Sequence, residues 1–196
     1  MTRTNTSGVD LVDEETTLNI ARAALFAALM GAFALVSVTV PVTSIPFTLQ
    51  VLGVFLAGIL LGPVWGGAAM VLYLAAGAVG APVFEGGSAG IGILLGGAPS
   101  FGYLWAFPLA AVVIGYLVHG STEVRRPSSV SPARLVVAMA VGTVVIYAFG
   151  ALGLMYVQDV GPEAAVLAGV VPFVPAEILK LVAALGIVRS DVLQAG

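Results

Sequence analysis

Glu177 and Lys180, the only lysine of the chain, stand three residues apart in the apolar run VPAEILKLVAALGIV. An ionisable side chain inside a membrane span costs about 2.5–3.5 kcal/mol and needs a reason to be there. The i, i+3 spacing puts both heads on one helix face, where each partly neutralises the other. Three readings are open: a structural ion pair, a lysine stretching its stem to the interface, or a binding site. As a site, the pair would suit a neutral ligand with two polar faces. A carboxylate accepts two N–H bonds side by side, whereas an ammonium donates to a carbonyl. A cyclic urea carries both features on adjacent atoms.

Gln50, in IPFTLQVLGVFLAG, is the second polar anomaly. A primary amide in an apolar span needs a partner, either a neighbouring helix or a ligand. Tyr73 poses the same question more weakly. Phe84, Ser88 and the amides of Gly86 and Gly87 could cap a ligand from a glycine-rich segment, or simply pack. Other chemistries are missing. There is no cysteine, and the one histidine, His119, sits beside an arginine-bearing stretch and reads as a loop residue. No glycine-rich phosphate loop precedes the lysine, so ATP hydrolysis is not expected. No carboxylate cluster suggests a metal, no cofactor is implied, and enzymatic activity is not expected. A basic surface for nucleic acid is also absent; the net charge is −3.

The elements that must hold these residues are membrane helices. Hydrophobic residues make up 60% of the 196-residue chain and charged residues 9%, too little polar surface to clothe a soluble domain. Residues 1–17 read as a polar cytoplasmic tail, 18–190 as the membrane domain and 191–196 as a C-terminal tail. The first apolar run leads into more membrane rather than polar mature sequence, so it reads as helix 1, ending between Pro41 and Pro46, and not as a signal peptide. The stretch from Phe47 to Phe84 carries no charge. As one helix it would overshoot a ~30 Å hydrocarbon core nearly twofold. Gly62-Pro63 is the natural break, giving helix 2 up to Leu61 and helix 3 from Val64 to about Val79. The segment from Ala81 to Ser100 holds too many glycines for a regular helix and must pack on protein or line a cavity. Helices from about Phe101 to Val118, Leu135 to Tyr156 and Pro175 onward complete an all-α bundle of six transmembrane helices. That topology collects Arg3, Arg22, Arg125, Arg126, Arg134 and Arg189, all the arginines, on one side. The positive-inside rule then makes both N- and C-termini cytoplasmic in a multi-pass cell-membrane protein. Helix 1 also places small residues four apart, Ala23/Ala27 and Ala24/Ala28/Ala32, a spacing that suits close packing within the chain or docking of another membrane subunit.

Read in order, IPFTLQVLGVFLAGILLGP, VLYLAAGAVGAPVFEGGSAGIGILLG and FVPAEILKLVAAL resemble the BioY family, the biotin-specific substrate-binding subunits of energy-coupling-factor vitamin transporters. The resemblance covers roughly Ala21 to Val188. It implies a six-helix protein taking up biotin at a site near its outer face, with Glu177 and Lys180 on the ureido ring and Gln50 in the same pocket. It also implies partners: a transmembrane coupling subunit, contacted through the helix 1 alanines, and two cytoplasmic ATPase subunits. Two positions depart from the family pattern. Glu177 stands where that pattern has the shorter Asp, and the glycine-rich segment holds Glu85 with no Arg or Lys. The biotin carboxylate would then rely on backbone N–H groups and Ser88. The same architecture could serve another vitamin, and a self-contained proton-coupled transporter using Glu177 is the alternative of a different class.

Overall fold

The structure, a computed structural model, describes residues 14–190, so the first thirteen residues of the expected N-terminal tail, Arg3 among them, and the C-terminal tail lie outside it. Six α-helices follow one another: α1 (Glu14–Leu35), α2 (Gln50–Ala78), α3 (Phe101–His119), α4 (Pro132–Gln158), α5 (Pro162–Gly169) and α6 (Val174–Val188). α1 packs on α2, α2 on α3 and α3 on α4, while α6 closes onto α2 and α4. Leu25 and Leu179 are 67% and 71% exposed, two of many large apolar side chains facing outward. Such a surface is solvated by acyl chains, and five stretches are long and apolar enough to cross a bilayer.

One of those five is two crossings. α2 contains 29 residues and would run about 44 Å if straight. At Gly62, however, φ is 76° and ψ −176°, a region open essentially to glycine alone, and Pro63 follows. The chain doubles back there. A Cβ on Gly66 would lie 2.8 Å from the Ala57 carbonyl oxygen, which a straight helix would hold more than two turns away. The break expected at Gly62-Pro63 is therefore present, and six helical crossings result.

Helix 1 ends earlier than expected, at Leu35 rather than between Pro41 and Pro46. β-branched residues dominate Val36-Ser37-Val38-Thr39-Val40 and favour extended backbone, as does a position preceding Pro41. Ser37–Val38 (β1) and Phe47–Thr48 (β2) form a short antiparallel ladder, the only strands among the described residues. Helix 1 also starts earlier, at Glu14, so the last four residues of the expected tail are helical. Between α2 and α3, the glycine-rich segment is irregular as expected, with a 3₁₀ turn at Glu85–Gly87 and a π turn at Ile93–Gly97.

The bend end of the bundle is stitched by polar groups. His119, expected as a loop residue, instead closes α3 and is fully buried. Its Nε2 lies 3.0 Å from the Ile59 carbonyl oxygen, and the Arg125 backbone N–H donates to Nδ1 at 3.0 Å. Arg134 donates to the Leu117 carbonyl at 2.6 Å, and Arg189 to that of Val130 at 2.6 Å.

Candidate functional site

The first turn of α6 carries Glu177, and Lys180 lies one turn on, on the same face. They form an ion pair of 2.7 Å, 6% and 8% exposed respectively. Tyr147, from the middle of α4, donates a second bond of 2.9 Å to the same oxygen, Oε1. The other oxygen, Oε2, is buried and has no hydrogen-bond partner. A buried acceptor left unmade costs about 1–3 kcal/mol, more when charged. Lys180 is similarly underused: an ammonium has three donors, and one bond, to Glu177, is formed among the described residues. One unfilled acceptor therefore stands beside unfilled donors.

Both residues line a cleft whose polar side is made by Thr48, Gln50, Glu85, Ser100, Glu177 and Lys180. Gln50 opens α2, and its orientation is fixed from both ends. Thr48 Oγ1 donates to its Oε1 at 2.8 Å, and its Nε2 donates to the Tyr73 hydroxyl at 2.6 Å. Gln50 and Tyr73 are 23 positions apart; only the reversal at Gly62 lets them meet. Glu85 and Ser100 are hydrogen-bonded across the glycine-rich segment, Ser100 Oγ donating to Glu85 Oε1. Aromatic rings complete the walls. Phe173 stacks on Phe47 at 4.3 Å and lies 6.1 Å from Tyr147, and Tyr103 meets Tyr147 edge-on at 5.9 Å. Tyr103 also donates to the Gly169 carbonyl at 2.6 Å, holding α5 to α3. The roof is the segment joining β1 to β2, where Ser44 accepts from Gln158 at 2.7 Å and Ile45 and Pro46 line the cleft.

Of the residues expected at the site, Glu177, Lys180 and Gln50 share this cleft. Tyr73 stands behind Gln50 and orients it. Phe84 is buried edge-on against Tyr73 at 5.6 Å, filling the space over Gly77, and it does not line the cleft. Nor do Gly86, Gly87 and Ser88. The Gly87 and Ser88 amides bond to the carbonyls of Phe84 and Glu85, and the Ser88 hydroxyl also donates to Glu85. Tyr147, Tyr103, Ser100, Thr48 and Phe173 were not anticipated. A tyrosine in the interior of an apolar span is the signal that singled out Tyr73, and it applies equally to Tyr147. On helix 1, Ala23 and Ala27 are buried against the chain itself, whereas Ala24, Ala28 and Ala32 face outward. The latter three form an exposed stripe of small residues. A larger groove of about 1400 Å³ between the second half of α2 and α3 is almost wholly apolar and lacks convergent polar groups.

The BioY family model matches residues 3–194. A protein of Rhodobacter capsulatus named a biotin transporter BioY is 36% identical over 184 residues, covering 90% of this chain and 93% of its own. One of Thermotoga maritima with the same name is 38% identical over 164 residues, covering 83% and 89%. A probable biotin transporter BioY of Pyrococcus horikoshii is 38% identical over 171 residues, covering 87% and 93%. The crystal structure of the S-component for biotin from an ECF-type ABC transporter superposes with a TM-score of 0.77 at 22% identity, over 91% of this chain and 93% of that one. The last likeness is one of fold.

Proposed function

Because this chain belongs to the BioY family, we propose that its polar cleft binds biotin and that it is the substrate-binding membrane subunit of an energy-coupling-factor ABC transporter. The observation that carries the reading is the unfilled oxygen of Glu177 beside the unfilled donors of Lys180. The ureido ring of biotin supplies the missing complements: N–H to Glu177 Oε2, and a carbonyl to the Lys180 ammonium. Both are charge-assisted bonds in an environment that excludes water, where they are strong and directional. Tyr103, Phe107, Tyr147 and Phe173 give the fused rings an apolar enclosure.

The two ends of the bundle support a membrane orientation. Arg125 and Arg134 are tied to the bend end through His119 and Leu117, whereas Gln50 starts α2 at the opposite end. With the arginine-rich end cytoplasmic, both termini are cytoplasmic and the cleft is near the outer face. The free energy for transport would come from partners, a transmembrane coupling subunit and two cytoplasmic ATPases. Ala24, Ala28 and Ala32 offer the coupling subunit a surface for close approach.

Isothermal titration of the purified, detergent-solubilised chain tests the reading. Saturable binding of biotin at one site per chain is expected, and no heat from demonstrably folded protein would overturn it. Tyr147→Phe should weaken binding about tenfold or more, since a hydrogen bond to a charged group contributes about 1.5–3 kcal/mol. A change under twofold in the same titration would reduce Tyr147 to a packing role.

A further inference from the structure

The bend end of the bundle carries a second polar pocket, at the opposite end from the cleft. It lies between the start of α1, the helix after the reversal and the loop that follows α3, and is lined by Glu15, Asn19, Arg22, Trp65, Thr122 and Glu123. Glu15, Asn19 and Arg22 recur at i, i+4 and i+7, which sets them on one face of α1. The exposed stripe of Ala24 and Ala28 belongs to another face. One guanidinium and two carboxylates thus meet here, and none of the three forms an ion pair among the described residues. The apolar groove between α2 and α3 opens into the same place. Thr122 lines both, and Val64 of the groove immediately precedes Trp65 of the pocket. From there the groove runs past Val71, Leu109 and Val112 toward Leu94 and Trp105. Gly67 lets the two helices meet along its floor, where an added Cβ would lie 2.6 Å from Val112 Cγ2.

We propose that pocket and groove form one site for a phospholipid whose headgroup joins a phosphate to a primary ammonium, the chemistry of phosphatidylethanolamine. The inference is independent of the biotin reading. An acyl chain fits a groove that is apolar along its length, and the polar pocket at one end of it is where the headgroup of that chain would lie. Arg22 is suited to the phosphate, which a guanidinium meets with paired N–H bonds. Glu15 and Glu123 accept from the ammonium, and the Trp65 ring offers the cation an aromatic face at the level of the headgroups. The sum of charges selects among lipids. With two carboxylates to one guanidinium, a purely anionic headgroup meets a pocket of its own sign and leaves both carboxylates unanswered. A quaternary ammonium has the right charge but no N–H to give them. With the bend end cytoplasmic, the lipid is drawn from the inner leaflet.

Native mass spectrometry tests this on the purified full-length chain, reconstituted with equal parts of phosphatidylethanolamine, phosphatidylcholine and phosphatidylglycerol of identical acyl chains and then released into detergent. One phosphatidylethanolamine should be retained per chain, in preference to either other lipid by about fivefold or more, as expected of ion pairs near a surface. Soluble glycerophosphoethanolamine, which lacks the chains, should not displace it. Arg22→Gln should bring the preference close to unity while leaving the Kd for biotin unchanged, since Arg22 lies at the opposite end of the bundle from the cleft. Ala75→Phe, at an exposed position on the groove wall, should lower retention of all three lipids. Equal retention of the three by the wild-type chain would mean ordinary bilayer solvation of the groove, and no retained lipid would leave this face to a protein partner; either result overturns the proposal without need of a variant. Displacement by glycerophosphoethanolamine, or retention unchanged in Arg22→Gln or in Ala75→Phe, would equally overturn the joining of pocket and groove into one lipid site.

Discussion

Replacing Lys180 by alanine is expected to raise the Kd for biotin by about a thousandfold or more, equivalent to about 4 kcal/mol. Two losses add up. The ureido carbonyl forfeits a charge-assisted donor, about 1.5–3 kcal/mol. Glu177 is left buried at 6% exposure with Tyr147 as its remaining partner. Breaking a buried pair in this way costs about 3–5 kcal/mol. Part of that cost will appear as a lower melting temperature, so titration and thermal unfolding should be measured on the same preparation. A folded Lys180→Ala protein that binds biotin within tenfold of wild type would show that the ion pair is structural and that recognition lies elsewhere.

Gly115→Ala should be among the most damaging single changes to the fold. A Cβ at this position of α3 would lie 2.4 Å from the Pro63 nitrogen, 2.6 Å from its Cα and 2.7 Å from the Gly62 carbonyl carbon. All three are backbone atoms of the reversal, so no rotamer change relieves the contact. Either α3 moves away from the bend or the bend opens. Overpacking of a well-filled interior costs about 1–3 kcal/mol and more where backbone must shift; this case belongs at or above the top of that range. Loss of a monodisperse peak in size-exclusion chromatography and a lowered unfolding temperature are the expected readouts. Gly186→Ala is the control. That exposed glycine in α6 has nothing within 4 Å of its ideal Cβ, and alanine there should stabilise by about 0.5–1 kcal/mol. Equal behaviour of the two variants would mean that the close approach at the bend is not a constraint on folding.

Residue type carried much of this architecture into view before the structure did. A charge-free stretch too long for one crossing, broken by Gly62-Pro63, leaves little choice but a hairpin of helices. Glu177 and Lys180 stand out because membrane spans penalise charge wherever it is not used. What escaped was whatever depends on helix phase or on distant partners. Helix 1 is apolar on most sides, so nothing in its pattern says that Ala23 and Ala27 turn inward while Ala24, Ala28 and Ala32 turn outward. Tyr147 and Glu177 are thirty positions apart, and no local spacing rule joins them. Phe84 was a plausible ligand cap by composition, yet Gly77 leaves a hollow that its ring fills. The end of helix 1 was misplaced because the β-branched run before Pro41 is as apolar as a helix and differs from one mainly in χ1 stiffness.

The reversal at Gly62 bears on the order in which the cleft comes into being. Residues 50–61 and 63–78 are only about 18 and 24 Å long as helices, each short of a ~30 Å core. Inserted together, they bring Gln50 and Tyr73 into register within one local unit. The polar wall of the cleft on that side is thus set early, by contacts of short sequence separation. α6, the last of the described helices to leave the ribosome, brings both Glu177 and Lys180 at once. A nascent chain stalled before it holds an amide, a tyrosine, an apolar hollow and the Glu85 carboxylate, but neither of the paired charges of α6. The two charges of the ion pair therefore enter the cleft together, with the last of the described helices.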